Sequence, residues 1–328
     1  MTTINRRRFA VLAAAAAALA LVPGAPAFAQ DLKPIDGLRI MAPSSPGSGY
    51  DQLARTMQAA LQEDKLATSV EVENAPGGGG TVGLAQYVTA RPRHPNALII
   101  GFALVGGVLT TKSQVTLDQV EPVARLMGEA EAIVVPANSD IKTMADLVAK
   151  LKENPGAVSW AGGSIGGVDH VMVGLIAKTV GVDPTKVNYV VHAGGGEVLA
   201  STLGGHATVG VSGYEEFRSQ VEAGQLRALA VSGDTRMEGV DVPTLKEAGV
   251  DLAIVNWRGV MVHPRTPAKD KEALKAAIDA MVKTPAWQEA LKRRGWLDTY
   301  LPADAFQAFL AEEQERIGGA LREAGIVQ

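Results

Sequence analysis

The 328-residue sequence contains no cysteine and no apolar run long enough to cross a membrane as a helix. Without cysteine, disulfide bonds, thiol catalysis, thiolate metal sites and a lipid-modified N-terminal cysteine are all excluded. The apolar run Ala10–Val22 is shorter than the roughly 20 residues that span a bilayer, and no later segment is long and apolar enough. Packed cores must therefore supply the stability of the fold.

Excess positive charge is also missing, since 31 Lys and Arg residues face 35 Asp and Glu residues. Such a balance gives no indication of binding to nucleic acid or to an anionic membrane surface. An anionic ligand must then be captured by local geometry, because the overall field of the protein does not attract it.

The first 29 residues predict an export signal. Three arginines at positions 6–8 form a basic segment of twin-arginine type, Ala10–Val22 is the apolar segment, and Ala27-Phe28-Ala29 is a small-x-small cleavage pattern. We expect cleavage near Ala29 and an exported mature chain. An uncleaved membrane anchor is the alternative.

Short β-rich runs alternate with helical patterns through most of the chain. Leu38–Ala42, Val70–Glu73 and Ala97–Phe102 are typical of buried strands, and a second set extends from Ala157 to Val231. Alternation of this kind predicts parallel sheets covered by helices. We predict two α/β domains, residues 30–130 with 251–328 and residues 131–250, with the C-terminal helices packed on the first.

Four glycine-rich loops each lead from a predicted strand into a predicted helix. We call residues 44–49 the first loop, 76–81 the second, 162–167 the third and 192–196 the fourth. In parallel sheets ligands bind beyond the carboxyl ends of the strands, and glycine lets backbone N–H groups converge on an anion at a helix N-terminus. A single loop could be only a tight turn, but four on one face predict an anion site.

Two of these loops also match enzyme motifs. Gly78-x-Gly80-x-x-Gly83 has the spacing of a dinucleotide fingerprint, but no acid follows at the end of the next strand. Gly162-x-Ser164-x-Gly166 matches a nucleophile elbow, with His192, His206 and His263 as possible bases, so a serine hydrolase stays open. We expect no metal site, because the histidines are scattered singly, and no cofactor.

Several motifs occur in an order that resembles one known family. They are Pro46-Gly47-Ser48-Gly49-Tyr50-Asp51, Val72–Gly80, Gly194-Gly195-Gly196, Leu226–Val231, Val242–Gly249 and Trp257 with Gly259. Together they resemble the Bug-type periplasmic receptors of tripartite tricarboxylate transporters. His192-Ala193 stands where many members carry tyrosine and lysine, and Arg258 stands where relatives commonly place an aromatic residue.

The resemblance implies a fold and a role. The fold would be a type II-like periplasmic binding protein, with two α/β domains joined by crossover strands and closing like a Venus flytrap. The protein would be a monomer in the periplasm that captures a di- or tricarboxylate, a citrate-like one being favoured. It would deliver this ligand to membrane permease subunits, without catalysis. A third hypothesis is that the protein is a ligand-free sensor partner that signals through a membrane protein, which would have the same fold.

The resemblance also implies a site, with Ser44 to Asp51 as one jaw and Ser164 to His170 as the other. Asp51 would hold its loop rather than the ligand, because a carboxylate beside a bound carboxylate repels it. Arg258 either grips a second carboxylate or forms an ion pair with a neighbouring acid. The predicted ligand-binding residues are Ser44, Ser45, Gly47, Ser48, Gly49, Tyr50, Asp51, Gly79, Thr81, Ser164, Ile165, Gly166, Gly167, His192, Gly194, Gly195 and Arg258.

Overall fold

The computed structural model describes residues 32–92 and 94–327. The predicted export signal at residues 1–29 lies outside the described residues. Within the described ranges, no helix combines the length and the apolar character that crossing a membrane requires.

Strands and helices alternate along the described chain. The strands are β1 (Leu38–Ala42), β2 (Val70–Asn74), β3 (Asn96–Gly101), β4 (Glu121–Glu129), β5 (Glu131–Pro136), β6 (Ser159–Gly162), β7 (Asn188–Val191), β8 (Val209–Gly213), β9 (Leu226–Val231), β10 (Asn256–Val262) and β11 (Leu297–Pro302). The α-helices are α1 (Gly49–Glu63), α2 (Thr81–Thr89), α3 (Phe102–Thr110), α4 (Met144–Glu153), α5 (Val168–Thr179), α6 (Gly195–Leu203), α7 (Tyr214–Glu222), α8 (Ala268–Met281), α9 (Pro285–Arg293) and α10 (Ala303–Glu323).

The strands form two sheets. The first sheet has the order β11-β4-β10-β3-β1-β2, and the second has the order β7-β6-β8-β5-β9. The chain crosses from the first sheet to the second at Ala130, between β4 and β5, and returns between Val231 and Asn256. The predicted crossover connections between two α/β layers are thus present.

Both sheets are mixed, so the predicted parallel pairing is present in only part of each sheet. β1 pairs in parallel with β2 and β3, and β6 pairs in parallel with β7 and β8. The strands next to the crossings are antiparallel to their neighbours: β10 lies between β3 and β4, and β5 lies between β8 and β9. The physical reason is the crossing itself, because a strand that enters from the other sheet has no preceding helix to reverse its direction.

The C-terminal helices pack on the elements of the first sheet, as predicted, and α10 also contacts a helix of the second layer. Helices α8 and α9 lie against α1, and α10 lies on β4. Trp257 of β10 packs edge-on against Phe306 and Phe309 of α10, and its Nε1 donates to Glu313 Oε1 at 2.8 Å. In addition, α10 contacts α5, which covers the second sheet. These contacts hold β10, and with it Arg258, in place.

Candidate functional site

The four glycine loops meet at one cavity of about 350 Å³, which we call the cleft. The first two loops follow β1 and β2 of the first sheet, and the other two follow β6 and β7 of the second. The predicted residues that line the cleft are Ser44, Ser45, Ser48, Gly49, Tyr50, Gly79, Ser164, Gly194, Gly195 and Arg258. Loops from both sheets therefore surround the same space.

The remaining predicted residues lie outside the cleft lining, and other residues take part that sequence reasoning missed. Those outside are Gly47, Asp51, Thr81, Ile165, Gly166, Gly167 and His192. Those absent from the predicted ligand-binding residues are Pro43, Ala103, Ser212 and Asn256, which lie outside the predicted loops, and Pro76, Gly77, Gly78, Gly80, Gly163, Asp169 and Ala193, which lie within the predicted loops or jaws. The glycine runs could have indicated their own neighbours, whereas Ala103, Ser212 and Asn256 carry no signal in the sequence.

Asp51 holds the first loop from below and does not line the cleft. Its Oδ2 accepts from Gly47 N at 2.8 Å, its Oδ1 accepts from Asn74 Nδ2 at 3.0 Å, and Arg55 Nε donates to both oxygens. Burial raises the pKa of Asp51, but the donors from Arg55, Gly47 and Asn74 outweigh it and leave the pKa below its usual range. Asp51 is therefore a charged brace for the loop, as its position at the helix start predicted.

The third loop has the same kind of brace. Asp169, in the first turn of α5, accepts from Gly163 N at 2.8 Å through Oδ2. Tyr189 OH donates to Gly163 O at 3.0 Å, and His170 stacks on the Tyr189 ring at 4.1 Å between centroids. Unlike Asp51, Asp169 also faces the cleft.

The fourth loop repeats the pattern with a glutamate. Glu197, in the first turn of α6, accepts from Ala193 N at 2.9 Å. His192 does not line the cleft, and its Nδ1 lies 3.0 Å from Val190 O. In the second loop, which has no such acid, Thr81 Oγ1 donates to Gly78 O at 2.9 Å.

Positive φ angles explain two predicted glycines that do not line the cleft. Gly47 has a φ of 83° and Gly166 a φ of 77°, in the left-handed region that side chains rarely adopt. Glycine at both positions therefore accommodates the backbone conformation of its loop.

Arg258 lies at the base of the cleft in a buried ion pair. Its Nη2 donates to Glu129 Oε2 at 2.7 Å, and the two side chains are only 8% and 11% exposed. The ion-pair alternative raised from the sequence is therefore present in the structure. A role toward a ligand stays a prediction.

Further carboxylates lie close to this pair. Burial and the neighbouring carboxylates raise the pKa of Glu131 well above its usual range. Burial also raises the pKa of Asp169, to about 6, although hydrogen bonds from Gly163 and Glu131 partly oppose the shift. Burial likewise raises the pKa of Glu216 to about 7. The region beneath the cleft is thus rich in acids.

The chain matches a family model described as "Tripartite tricarboxylate transporter family receptor" over residues 53–326. It is similar to Protein BugT of Bordetella pertussis, at 26% identity over 307 residues that cover 90% of this chain and 91% of that protein.

Solved structures have the same fold. One is a TctC solute binding protein from Polaromonas without ligand, at 26% identity and a TM-score of 0.68, covering 88% of this chain and 98% of that one. Another is a protein from R. palustris with adipate, at 20% identity and a TM-score of 0.80, covering 88% and 97%. With a family model that matches most of its length, this chain belongs to the tripartite tricarboxylate transporter family of receptors.

Proposed function

We propose that this protein is a periplasmic receptor that captures a small carboxylate in the cleft and delivers it to the permease of a tripartite tricarboxylate transporter. It performs no catalysis and acts as a monomer, with residues 30–130 and 251–328 as one closing domain and 131–250 as the other. The membership in a family of transport receptors supports the role.

The observation that carries the proposal is the meeting of four helix N-termini at the cleft. Helices α1, α2, α5 and α6 begin at the four loops, and none of them has a side-chain cap on its first backbone N–H groups. Uncapped N–H groups at helix starts are donors for a carboxylate. Ser44, Ser45, Ser48 and Ser164 add hydroxyl donors around the same space.

The cleft favours a ligand of low charge over the citrate-like one that the sequence predicted. Among the lining residues that the structure describes, Arg258 is the only cation, and Glu129 already pairs with it. A third carboxylate would meet acids rather than a free cation. We therefore favour a mono- or dicarboxylate, and the R. palustris structure with adipate, a dicarboxylate, supports this choice.

A thermal-shift panel tests the proposal. Acetate, succinate, adipate and citrate are added to the mature protein, and a ligand at 100 times its Kd should raise the stability by about 2.7 kcal/mol. We expect a larger shift for succinate or adipate than for citrate. If no member of a broader carboxylate panel shifts the transition, the receptor proposal fails.

A serine hydrolase that uses Ser164 has no support in the described structure. His192 and His263 bond to the backbone oxygens of Val190 and Val88, and no described histidine is hydrogen-bonded to Ser164. Turnover of generic esters that is lost in Ser164→Ala would reverse this view.

Uptake of the bound carboxylate by cells with and without the protein separates transport from a sensing role.

A second cavity, of about 410 Å³, is a weaker candidate. It lies at the start of β3 and is lined in part by Arg39, Arg91, His94 and His263, with none of the glycine loops. Both ring nitrogens of His263 are occupied, by Val88 O and by Arg265 N. Among the described residues that line this cavity, none has a buried side-chain donor without a hydrogen-bond partner.

A further inference from the structure

Four carboxylates come together directly beneath the cleft, and we call them the acid cluster. They are Glu129 at the end of β4, Glu131 at the start of β5, Asp169 in α5 and Glu216 in α7. A methyl group on Gly195, which lines the cleft, would collide with Glu216, and one on Gly163 would lie 2.9 Å from Asp169 Oδ2. Asp169 itself lines the cleft, and the backbone of Gly195 separates Glu216 from the ligand space.

The cations around the acid cluster do not balance it. Arg258 is paired with Glu129, and Arg294 faces Glu129 from beyond α9 while bonding to Gln52. In the described residues Glu131, Asp169 and Glu216 form no salt bridge.

The other titratable groups nearby are neutral near pH 7. Burial raises the pKa of Tyr189 and of Tyr50, and it lowers the pKa of His170 to about 4. These three side chains therefore add no positive charge to the cluster.

Glu131 gives independent evidence that a proton resides in the cluster. Its side chain is 1% exposed, and its Oε1 has no hydrogen-bond partner. An ionised oxygen in that position would be very costly, whereas a protonated acid can donate to Asp169. In residues 32–92 and 94–327, no three such side chains are arranged to hold a metal ion that could replace the proton.

We propose that the cleft binds its carboxylate together with a proton, taken from the solvent by the acid cluster, so that ligand affinity falls as the pH rises. The inference rests on the proposed carboxylate receptor. An anion in the cleft repels the ionised side chains of Asp169 and Glu216. Protonation of either side chain removes its share of that repulsion. By linkage, a ligand that raises the proton affinity of the cluster must itself bind more tightly when the cluster is protonated.

Calorimetry on the wild-type protein provides the first test. Succinate and adipate are titrated between pH 7 and 9, above the pKa values of both carboxyl groups of each ligand, so that the ligands stay almost fully ionised. Buffers of different ionisation enthalpy reveal the protons exchanged. We expect an uptake of about half a proton at pH 7, and a Kd that weakens about 10-fold over the two pH units.

Variants locate the proton. Glu216→Gln keeps the shape of the side chain while removing its charge, so this variant should bind succinate or adipate several-fold more tightly at pH 8 and lose part of the pH dependence. The matched control is Glu215→Gln, the neighbour of Glu216 on α7, which pairs with Arg218 and should leave the pH dependence unchanged.

The outcomes separate this inference from the receptor proposal. Binding with a constant Kd and buffer-independent enthalpy overturns proton uptake but leaves the receptor. Aspartate binding far more tightly than succinate also overturns it, because the cluster would then receive the ligand ammonium. Failure of every carboxylate to bind at any pH from 5 to 8.5 removes the receptor proposal and this inference with it.

Discussion

Arg258 lies under the first loop with its guanidinium buried against Glu129. A methyl group on Gly49 would collide with that guanidinium, so glycine at position 49 allows the loop to lie directly over the charge. Either partner without the other would be a buried, uncompensated charge, which makes the pair costly to break.

We predict that Arg258→Ala lowers the free energy of unfolding by about 3 kcal/mol, because Glu129 loses its cation. Combining Arg258→Met with Glu129→Gln should recover most of the loss. Urea denaturation followed by tryptophan fluorescence measures both. An Arg258→Ala variant as stable as the wild type would contradict the structural role of the ion pair. If Arg258→Ala weakens the binding of di- and tricarboxylates but not of monocarboxylates, Arg258 also contacts the ligand directly.

At the scale of the element, acids in the first turns of three helices hold the loops that precede them. Asp51 binds Gly47 N, Asp169 binds Gly163 N, and Glu197 binds Ala193 N. Each acid is close to a helix N-terminus, where the helix dipole favours negative charge. The helices thereby set the shape of loops that they do not contain.

Asp51→Ala should weaken ligand binding about 10-fold although Asp51 does not line the cleft, because Gly47 N loses its acceptor. The pKa of Asp51 is lowered by folding, so its stabilising effect is present above about pH 4, its unfolded value, and is lost as the pH falls through the folded pKa. The stability gap between variant and wild type should therefore close on acidification. Glu63→Ala, at the exposed end of α1, is the control, and equal Kd values for both variants would refute the brace.

Helix α3 spaces the second and third loops. A methyl group on Gly106 would collide with Gly166 O, and one on Gly107 would lie 2.9 Å from Gly78 O and Gly79 O. Tyr50 OH accepts from Leu104 N at 2.9 Å, which ties α1 to the same helix. Loops from both sheets thus rest on one small-residue face.

Gly106→Ala should raise the Kd at least 10-fold, since the added methyl group must push the third loop away from the cleft. The free energy of unfolding should change little, because alanine improves helix propensity by about 1 kcal/mol relative to glycine and this gain offsets the cost of moving the loop. Gly319→Ala on α10 serves as the control, since a methyl group there meets no atom within 4 Å and Gly319 does not line the cleft. Calorimetric titration decides, and an unchanged Kd for Gly106→Ala would exclude the spacing role.

At the scale of the whole molecule, two backbone crossings join the sheets, at Ala130 and between Val231 and Asn256. Paired crossings with a cleft between the layers are typical of hinge closure around a ligand. Small-angle scattering should show a smaller radius of gyration with saturating ligand than without it. No change in scattering or in distances between labels on the two sheets would indicate a rigid pocket.

The sequence by itself determined the local features of this protein. Glycine loops between strand and helix patterns depend on short-range backbone preferences, and so their positions and the brace role of Asp51 could be predicted. The order of the motifs was enough to indicate the family.

Only the tertiary structure decided which distant residues meet. Arg258 and Glu129 are separated by 129 positions, and the acid cluster draws on two strands and two helices, so no local pattern reveals these contacts. From the sequence, Asp169 could be placed only within the jaw from Ser164 to His170, and nothing singled out Gly106. Their roles depend on how the two sheets face each other, because charge burial and steric contact are properties of packing rather than of sequence spacing.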